Sequence, residues 1–401
     1  MRLATFFLLL PALADEQASQ KAWREDLAYL AQELPARHVK PFTRTSRSEF
    51  MRRVAGMEKA IPSMTDAEVL TGFQRLVASL GDSHTTLWLA KMQWKHVVPL
   101  VLRWFEDGFY VILAHRAYEP LLGGKVRSID GVPAGEVHRR FAELAPAENE
   151  VMRREGIENM MRLGELLAGT GVVKSPERIT VEVTHSGAVS KMEVALVNLR
   201  QLGAMSSLTK GSAPLYESRR GKAYWFQAIE DGSVLYFHYA RCVDDPAEPM
   251  AEFRLKLREA MGRQGLRRLV VDLRRNTGGN SSILDPLIDD IKQSRFNAKG
   301  RLAVIIGRET MSSGLLNAMR FRLETKAVIV GEPTAGKPNH FGDVRELVLP
   351  NSKLPIMYST KYFERLKGED PESMFPDVAA PVRFADYRDG KDPALVAALR
   401  F

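Results

Sequence analysis

Apolar residues recur at intervals of three and four in the first part of the chain. "WREDLAYLAQEL" and "DAEVLTGFQRLVASL" both have this spacing, which is typical of amphipathic helices. Thr65 precedes the second stretch and Glu68 follows three residues later, so that the helix begins with a capping box. We therefore predict a helical N-terminal region over residues 15–90.

The hydrophobic period changes in the next part of the chain. "VVPLVLRWF", "GFYVILAH" and "KVRSIDG" are short β-rich runs with turn residues between them. "ITVEVTHSGAVSKMEVAL" is typical of a hairpin that turns at Ser186 and Gly187. Residues 96–198, called the middle module below, are predicted to form a small α+β unit. Its helical insertion, "ENEVMRREGIENMMRLGELLAG", is expected to pack inward through Met160 and Met161, with a lid or a groove for apolar chain ends as the alternative.

Strands and helices alternate from about Tyr224 onward. "SVLYFHYA", "LRRLVVDLR", "RLAVIIG" and "KAVIVGE" are apolar strands, and helices are expected over Pro246–Arg263, Ser281–Arg295 and Ser312–Leu323. Continuous apolar strands that alternate with helices predict a mostly parallel sheet covered on both faces. Residues 205–401 are therefore predicted to form an α/β domain.

Polar residues follow three of these strands at the point where each strand ends. Gly278 and Gly279 follow the first, Ser312 follows the second at the start of a helix, and Lys337 and His340 follow the third. Chemistry in such sheets is found at the carboxyl ends of the strands. We expect a hydroxyl, a Gly-Gly turn and a lysine to converge at one edge of the sheet.

This set of groups has a coherent chemistry. A serine hydroxyl becomes nucleophilic when a base takes its proton, and a desolvated lysine can serve as that base. Backbone amides at a Gly-Gly turn and at a helix start can bind the oxyanion of a tetrahedral intermediate. The pattern thus indicates acyl transfer. Taken singly, Ser312 could be only a helix cap and Lys337 only a solvated side chain.

Several segments together resemble a known family. "LGDSHTTL", "DLRRNTGGN", "GRETMSSGLLNAM" and "VGEPTAGK" are similar, in this order, to motifs of the tail-specific, or C-terminal processing, serine peptidases of family S41. The resemblance implies a crotonase-like (ClpP/crotonase-type) catalytic domain and a PDZ-like middle module. It also implies cleavage of flexible polypeptide ends without a cofactor. Ser312 would be the nucleophile, and the amides of Gly278 or Gly279 and of Ser313 would form the oxyanion hole.

The resemblance leaves two residues open as the general base. Lys337 aligns with the base of the Ser–Lys branch, but Pro338 departs from the family pattern directly after it. "DSHT", which contains His84, resembles the "D-x-HT" segment of the tricorn-like branch, in which the histidine is the base. Asp370 or Glu369 could orient His84.

Three further residues receive lesser roles from the sequence. His340 is a candidate for substrate binding or for secondary proton transfer. Asp272 and Asn276 are expected to shape the Gly-Gly turn rather than to do chemistry.

The N-terminus and the composition add a location and exclude several classes. "MRLATFFLLLPALADE" has the layout of a signal peptide over residues 1–14, which predicts export to the periplasm or the medium. The net charge is +8, but the lysines and arginines are interleaved with aspartates and glutamates along the chain. Nucleic acid is therefore not an expected partner. The eight histidines are scattered without metal-ligand spacing. The single cysteine, Cys242, is expected to be a structural thiol.

Two other functions remain open at this point. One branch of the family pattern binds apolar ligands, so that the chain could be a non-catalytic binding protein on the same scaffold. A hydrolase of esters or small amides is the other alternative. Substrate identity and oligomeric state are not assigned by the sequence.

Overall fold

A computed structural model describes residues 20–209 and 213–401 of the chain. The predicted signal peptide lies outside these residues. The described chain begins with three helices, α1 (Gln20–Arg37), α2 (Arg47–Ala60) and α3 (Asp66–Ala78). The predicted capping box of α3 is confirmed, because the Glu68 amide donates to Thr65 Oγ1 and the Thr65 amide donates to Glu68 Oε2 at 2.7 Å.

The middle of the chain is built mostly from antiparallel strands. Its elements are β1 (Thr86–Leu87), β2 (Leu100–Phe105), β3 (Gly108–His115), β4 (Lys125–Ile129), β5 (Val132–Pro133), α4 (Ala134–Ala142), α5 (Glu150–Met160), α6 (Gly164–Gly169), β6 (Arg178–His185), β7 (Ala188–Ala195) and β8 (Met205–Ser207). The sheet order is β2-β3-β4-β6-β7, with β5 on β4 and β8 on β3. The hairpin predicted at Ser186 and Gly187 is confirmed, since both residues have positive φ between the paired strands β6 and β7.

The C-terminal half alternates between strands and helices. Its elements are β9 (Tyr224–Ile229), β10 (Val234–Tyr239), α7 (Met250–Gly262), β11 (Arg268–Asp272), α8 (Asp285–Gln293), β12 (Leu302–Ile306), α9 (Ser312–Glu324), β13 (Val328–Gly331), β14 (His340–Val348), β15 (Pro355–Phe363), β16 (Val378–Ala379), α10 (Phe384–Arg388) and α11 (Pro393–Ala398). Strands β10, β11, β12, β13 and β16 are parallel neighbours, and β9 is antiparallel at one edge. The predicted mixed α/β architecture with a mostly parallel sheet is confirmed.

Strands β14 and β15 lie outside this sheet and form a separate antiparallel sheet of order β1-β15-β14. Leu347 and Ile356 on these strands belong to the same hydrophobic core as α1–α3 and the middle module. The pairing brings the "DSHT" segment, which directly precedes β1, towards the loops at the carboxyl ends of the parallel strands. Among the described residues, no helix is long and apolar enough to cross a membrane.

Candidate active site

Ser312 stands where the loop after β12 turns into α9, and its backbone is in the left-handed region with φ of 49°. This conformation is strained for a residue with a side chain, and the surrounding structure must hold it. The hydroxyl of Thr310 accepts from the Gly307 amide at 3.0 Å and donates to Leu273 O at 2.9 Å. The Met311 amide donates to Asn276 O at 3.0 Å. The loop that presents Ser312 is therefore fastened to the end of β11.

The Gly-Gly turn packs directly against Ser312. A Cβ on Gly278 would lie 2.8 Å from Ser312 Cβ, and the backbone φ of Gly278 is 109°. Only glycine fits this position, because a side chain would collide and the conformation is unfavourable for other residues. The Gly278 amide donates to Asn276 Oδ1 at 3.0 Å, and Ser313 Oγ donates to Gly279 O at 2.6 Å. The Gly279 and Ser313 amides therefore remain as the candidate oxyanion donors.

Asn276 joins the Gly-Gly turn to the rest of the sheet. Its Nδ2 donates to Tyr239 O at 2.9 Å, and its Oδ1 accepts from the buried thiol of Cys242 at 3.3 Å. Burial raises the pKa of Cys242 to about 11, so that the thiol stays protonated at neutral pH. Asp272 accepts from the Arg274 guanidinium and, at 2.6 Å, from Tyr236 Oη. The predicted structural roles of Asp272, Asn276 and Cys242 agree with these bonds.

Lys337 lies beside the nucleophile loop. The preceding residue, Gly336, donates its amide to Thr310 O at 3.3 Å, and a Cβ on it would stand 3.2 Å from Met311 Cα. Lys337 is 8% exposed, and its Nζ donates to Asp370 Oδ2 at 2.6 Å. The Lys337 ammonium is therefore held by a carboxylate that is itself largely in solvent.

His84 is held by a buried network around Asp82. Asp82 accepts from His38 Nε2 at 2.9 Å, from Thr85 Oγ1 at 2.5 Å and from the His84 amide at 2.8 Å. Burial by itself would raise the pKa of Asp82, but the hydrogen bond from His38 and the positive charge that His84 carries when protonated outweigh it, and the pKa is lowered. Burial lowers the pKa of His84, against the opposing influence of Asp82. His84 is thus neutral at neutral pH.

The two ring nitrogens of His84 have different surroundings. Ser83 Oγ lies 3.2 Å from Nδ1, whereas Nε2 is buried without a hydrogen-bond partner in the part of the chain that the structure describes. A neutral imidazole whose Nδ1 is occupied can keep Nε2 as a free acceptor. This is the arrangement that a general base requires.

His340 connects the two candidate bases. Its ring stacks on His84 with 6.0 Å between the centroids, and on Phe363 at 5.4 Å. Nδ1 lies 2.8 Å from Lys337 O. Burial, and the positive charge that His84 carries when protonated, lower the pKa of His340 to about 4, so that the ring is neutral at neutral pH and Nδ1 donates to the carbonyl. His340 is 1% exposed, and its predicted role in substrate binding stays a prediction.

Comparison with solved structures identifies similar folds. Mature CPAF complexed with lactacystin matches 95% of this chain and 99% of its own at 13% identity and a TM-score of 0.66. Mature CPAF alone matches 95% and 98% at 12% identity and a TM-score of 0.65. The photosystem II D1 C-terminal processing protease matches 94% and 99% at 13% identity and a TM-score of 0.40. No protein-family model and no curated protein sequence matches the chain.

The chain has the fold of the S41-like peptidases. The resemblance seen in the sequence is thereby confirmed at the level of the fold. Within this S41-like fold, contacts link all the predicted site residues. Ser312 and Ser313 touch the Gly-Gly turn, Gly336 joins the nucleophile loop to Lys337, and His340 joins Lys337 to His84.

Glu148 belongs to the same neighbourhood, and sequence reasoning missed it. Glu148 is 6% exposed, and its Oε2 is buried without a hydrogen-bond partner among the residues described. Burial and the charge of Asp82 raise the pKa of Glu148 to about 8, although a backbone hydrogen bond from Phe341 and the charges of Lys337 and Arg44 oppose this. Glu148 is therefore a neutral carboxylic acid at neutral pH.

The residue after Glu148 fixes this loop of the middle module to the site. Asn149 Nδ2 donates to Thr334 O at 3.1 Å, to Glu372 O at 2.7 Å and to Ser373 Oγ at 2.9 Å. Nothing in "PAENE" signals such a role, because its partners are far away in the sequence.

Within residues 20–209 and 213–401, no group of three or more metal-ligating side chains occurs.

Proposed function

We propose that this chain is an exported serine peptidase that cleaves flexible polypeptide ends through an acyl-enzyme on Ser312. The observation that carries the proposal is the left-handed backbone of Ser312 at the start of α9, packed against Gly278. Strain of this kind persists at functional sites because the surrounding structure over-determines it. The fold shared with CPAF supports a peptidase.

We favour His84 over Lys337 as the general base. The free Nε2 of neutral His84 can accept the Ser312 proton. The Nζ of Lys337 donates to Asp370 Oδ2 at 2.6 Å, so that this side chain is already engaged by a carboxylate. In the proposed reaction, Ser312 Oγ attacks a peptide carbonyl and His84 takes its proton and passes it to the leaving amine. Water then hydrolyses the ester by the same route in reverse.

The oxyanion of the tetrahedral intermediate would be bound by the amides of Gly279 and Ser313. These donors belong to a turn and a helix start that Ser313 Oγ already fastens together at 2.6 Å. Donors fixed in advance are effective because they need no reorganisation when charge develops. Each such donor is worth about a hundredfold or more in kcat.

The proposal extends to the domain types and to export. We assign residues 205–401 to a crotonase-like catalytic domain and residues 96–198 to a PDZ-like module that admits or recognises substrate. The apolar N-terminal segment supports export after removal of a signal peptide.

The decisive test is intact-mass labelling of the purified protein with a fluorophosphonate. We expect one adduct on the wild type, no adduct on Ser312→Ala or His84→Ala, and a retained adduct on Lys337→Ala. Ser294→Ala and His185→Ala are matched controls, since Ser294 Oγ donates to Ile291 O at the end of α8 and His185 lies in the middle module. Both controls should label like the wild type.

Other outcomes point to other functions. Lactacystin, the ligand in the CPAF complex, serves as a second probe. A wild type that reacts with neither probe would contradict the proposal and favour a binding protein on the same scaffold. Labelling combined with turnover of activated esters, but of no peptide in a varied set, would favour an esterase. Loss of labelling in Lys337→Ala alone would make Lys337 the base.

A further inference from the structure

One side chain links the nucleophile loop to the middle module. Arg308 is the second residue after β12, and its side chain is only 13% exposed. It forms ion pairs with Glu155 and, at 2.6 Å, with Glu158, both on α5. Its Nη1 also donates to Trp104 O on β2 at 2.9 Å. Every one of these partners lies in the middle module.

The partners of Arg308 are themselves fixed. Glu158 Oε1 accepts from the Trp104 amide at 2.7 Å, so that α5, β2 and the guanidinium form one closed set of bonds. Burial raises the pKa of Glu155 to about 7, and the charge of Arg308 opposes this shift. A planar guanidinium can bind two carboxylates and a carbonyl at once, which an ammonium cannot do with the same geometry.

A displacement of Arg308 would be transmitted to Ser312. The Gly307 amide donates to Thr310 Oγ1 at 3.0 Å and the Thr310 amide donates to Gly307 O at 2.9 Å, so that the loop around Arg308 is cross-linked within itself. Met311 then leads directly into the strained backbone of Ser312. Three residues separate Arg308 from the nucleophile, and the amides of two of them, Thr310 and Met311, are hydrogen-bonded to main-chain carbonyls.

We propose that Arg308 is a positioning residue through which α5 of the middle module holds the nucleophile loop in its reactive conformation. The inference rests on the proposed role of Ser312 and adds a dependence of that residue on the middle module. Misplacement of a reacting group by about 1 Å can cost on the order of 100-fold in rate. We expect fluorophosphonate labelling of Ser312 to slow by about 10- to 100-fold when the ion pairs are removed.

The test changes the ion pairs from the module side. The double variant Glu155→Gln/Glu158→Gln leaves the nucleophile loop unaltered, and Arg308→Lys keeps a positive charge without the planar fork. Arg320→Met is the matched control, since Arg320 has ion pairs with Asp285, Asp289 and Glu324 on α8 and α9.

Two measurements test the inference on each folded variant, and the melting temperature is recorded as a third. One is the rate of fluorophosphonate labelling. The other is hydrogen exchange of the amides of Gly307, Thr310 and Met311, which needs no activity. The melting temperature shows how much stability each variant loses.

We expect the double variant to speed exchange of the loop amides and to slow labelling. Arg308→Lys should be intermediate, and Arg320→Met should change neither measurement, even if its melting temperature falls as far. Unchanged loop exchange in the double variant overturns the inference, as does unchanged labelling. If the wild type never labels, the proposed function fails, and loop exchange alone then decides whether α5 holds the loop.

Discussion

The substitution Glu148→Gln should remove the pH dependence of stability that this buried carboxyl creates. Glutamine has the shape and the neutral charge of protonated glutamic acid, so that it keeps the packing and removes only the ionisation. The pKa of Glu148 is raised from 4.5 to about 8, first by burial and then by the charge of Asp82. The folded protein therefore retains a proton that the unfolded chain has lost throughout this range.

The magnitude follows from the two pKa values. Stability from a raised pKa is fully present below the unfolded value and is lost as the pH rises through the folded value. One pKa unit corresponds to about 1.4 kcal/mol. Relative to acidic pH, the stability of the wild type should fall by about 3 kcal/mol at pH 7, where this carboxyl ionises in the unfolded chain only, and by about 5 kcal/mol above pH 8. The glutamine variant should be free of this loss.

Urea denaturation of both proteins between about pH 5 and pH 9 measures this difference directly. The variant should match the wild type at the acidic end and exceed its free energy of unfolding increasingly towards the alkaline end. Glu150→Gln is the matched control, since Glu150 lies two residues away with its side chain 53% exposed. The part of the infrared carbonyl band that Glu148→Gln removes comes from the protonated Glu148 carboxyl and reports its ionisation.

A difference between Glu148→Gln and the wild type that does not change with pH would refute the reasoning. So would a carboxyl band that disappears near the ordinary pKa of glutamic acid. Either result would mean that Glu148 is solvated or paired in solution, so that burial does not control its charge.

Two further substitutions test the site from other sides. Gly278→Ala should abolish fluorophosphonate labelling, because the new methyl group would lie 2.8 Å from Ser312 Cβ. Gly265→Ala is the control, since Gly265 has a φ of 86° but open space around it. This variant should lose about 1 kcal/mol of stability and label normally. Asp82→Asn should move the acidic limb of the pH profile of labelling to lower pH. The negative charge of Asp82 raises the pKa of His84, and the variant lacks this charge. A limb that stays in place or moves to higher pH would contradict His84 as the base that Asp82 supports.

The parallel sheet and the convergence of the site could be predicted because both follow from local rules. Apolar runs alternating with helices specify a parallel sheet, and the carboxyl ends of its neighbouring strands then bring Gly278, Ser312 and Lys337 to one edge. Helix starts were less accurate where proline intervened. The helix expected from Pro246 begins at Met250, after Pro249, and the one expected from Ser281 becomes α-helical only at Asp285, with proline in its first turn.

The electrostatics of the site could not be predicted in the same way. The pairing of Lys337 with Asp370, the raised pKa of Glu148 and the bond from His38 to Asp82 all depend on groups distant in the sequence. Residue type and sequence spacing do not predict whether a lysine side chain will contact a carboxylate or apolar side chains in the folded protein. A preference between Lys337 and His84 as the candidate base therefore depends on the tertiary contacts of each side chain.

If His84 is the base, as proposed, Lys337 has a different use from the one that its place in the motif implies. Its main-chain carbonyl accepts from His340 Nδ1 at 2.8 Å, and the stack of His340 on His84 follows from that bond. The carbonyl is present whatever the side chain, whereas the ammonium is turned to Asp370. Replacement of Lys337 by alanine therefore keeps the support beneath His84, and replacement of His340 by alanine removes it. If His84 is the base, the second change should slow labelling more than the first, because a base must be held in one orientation while it takes the proton.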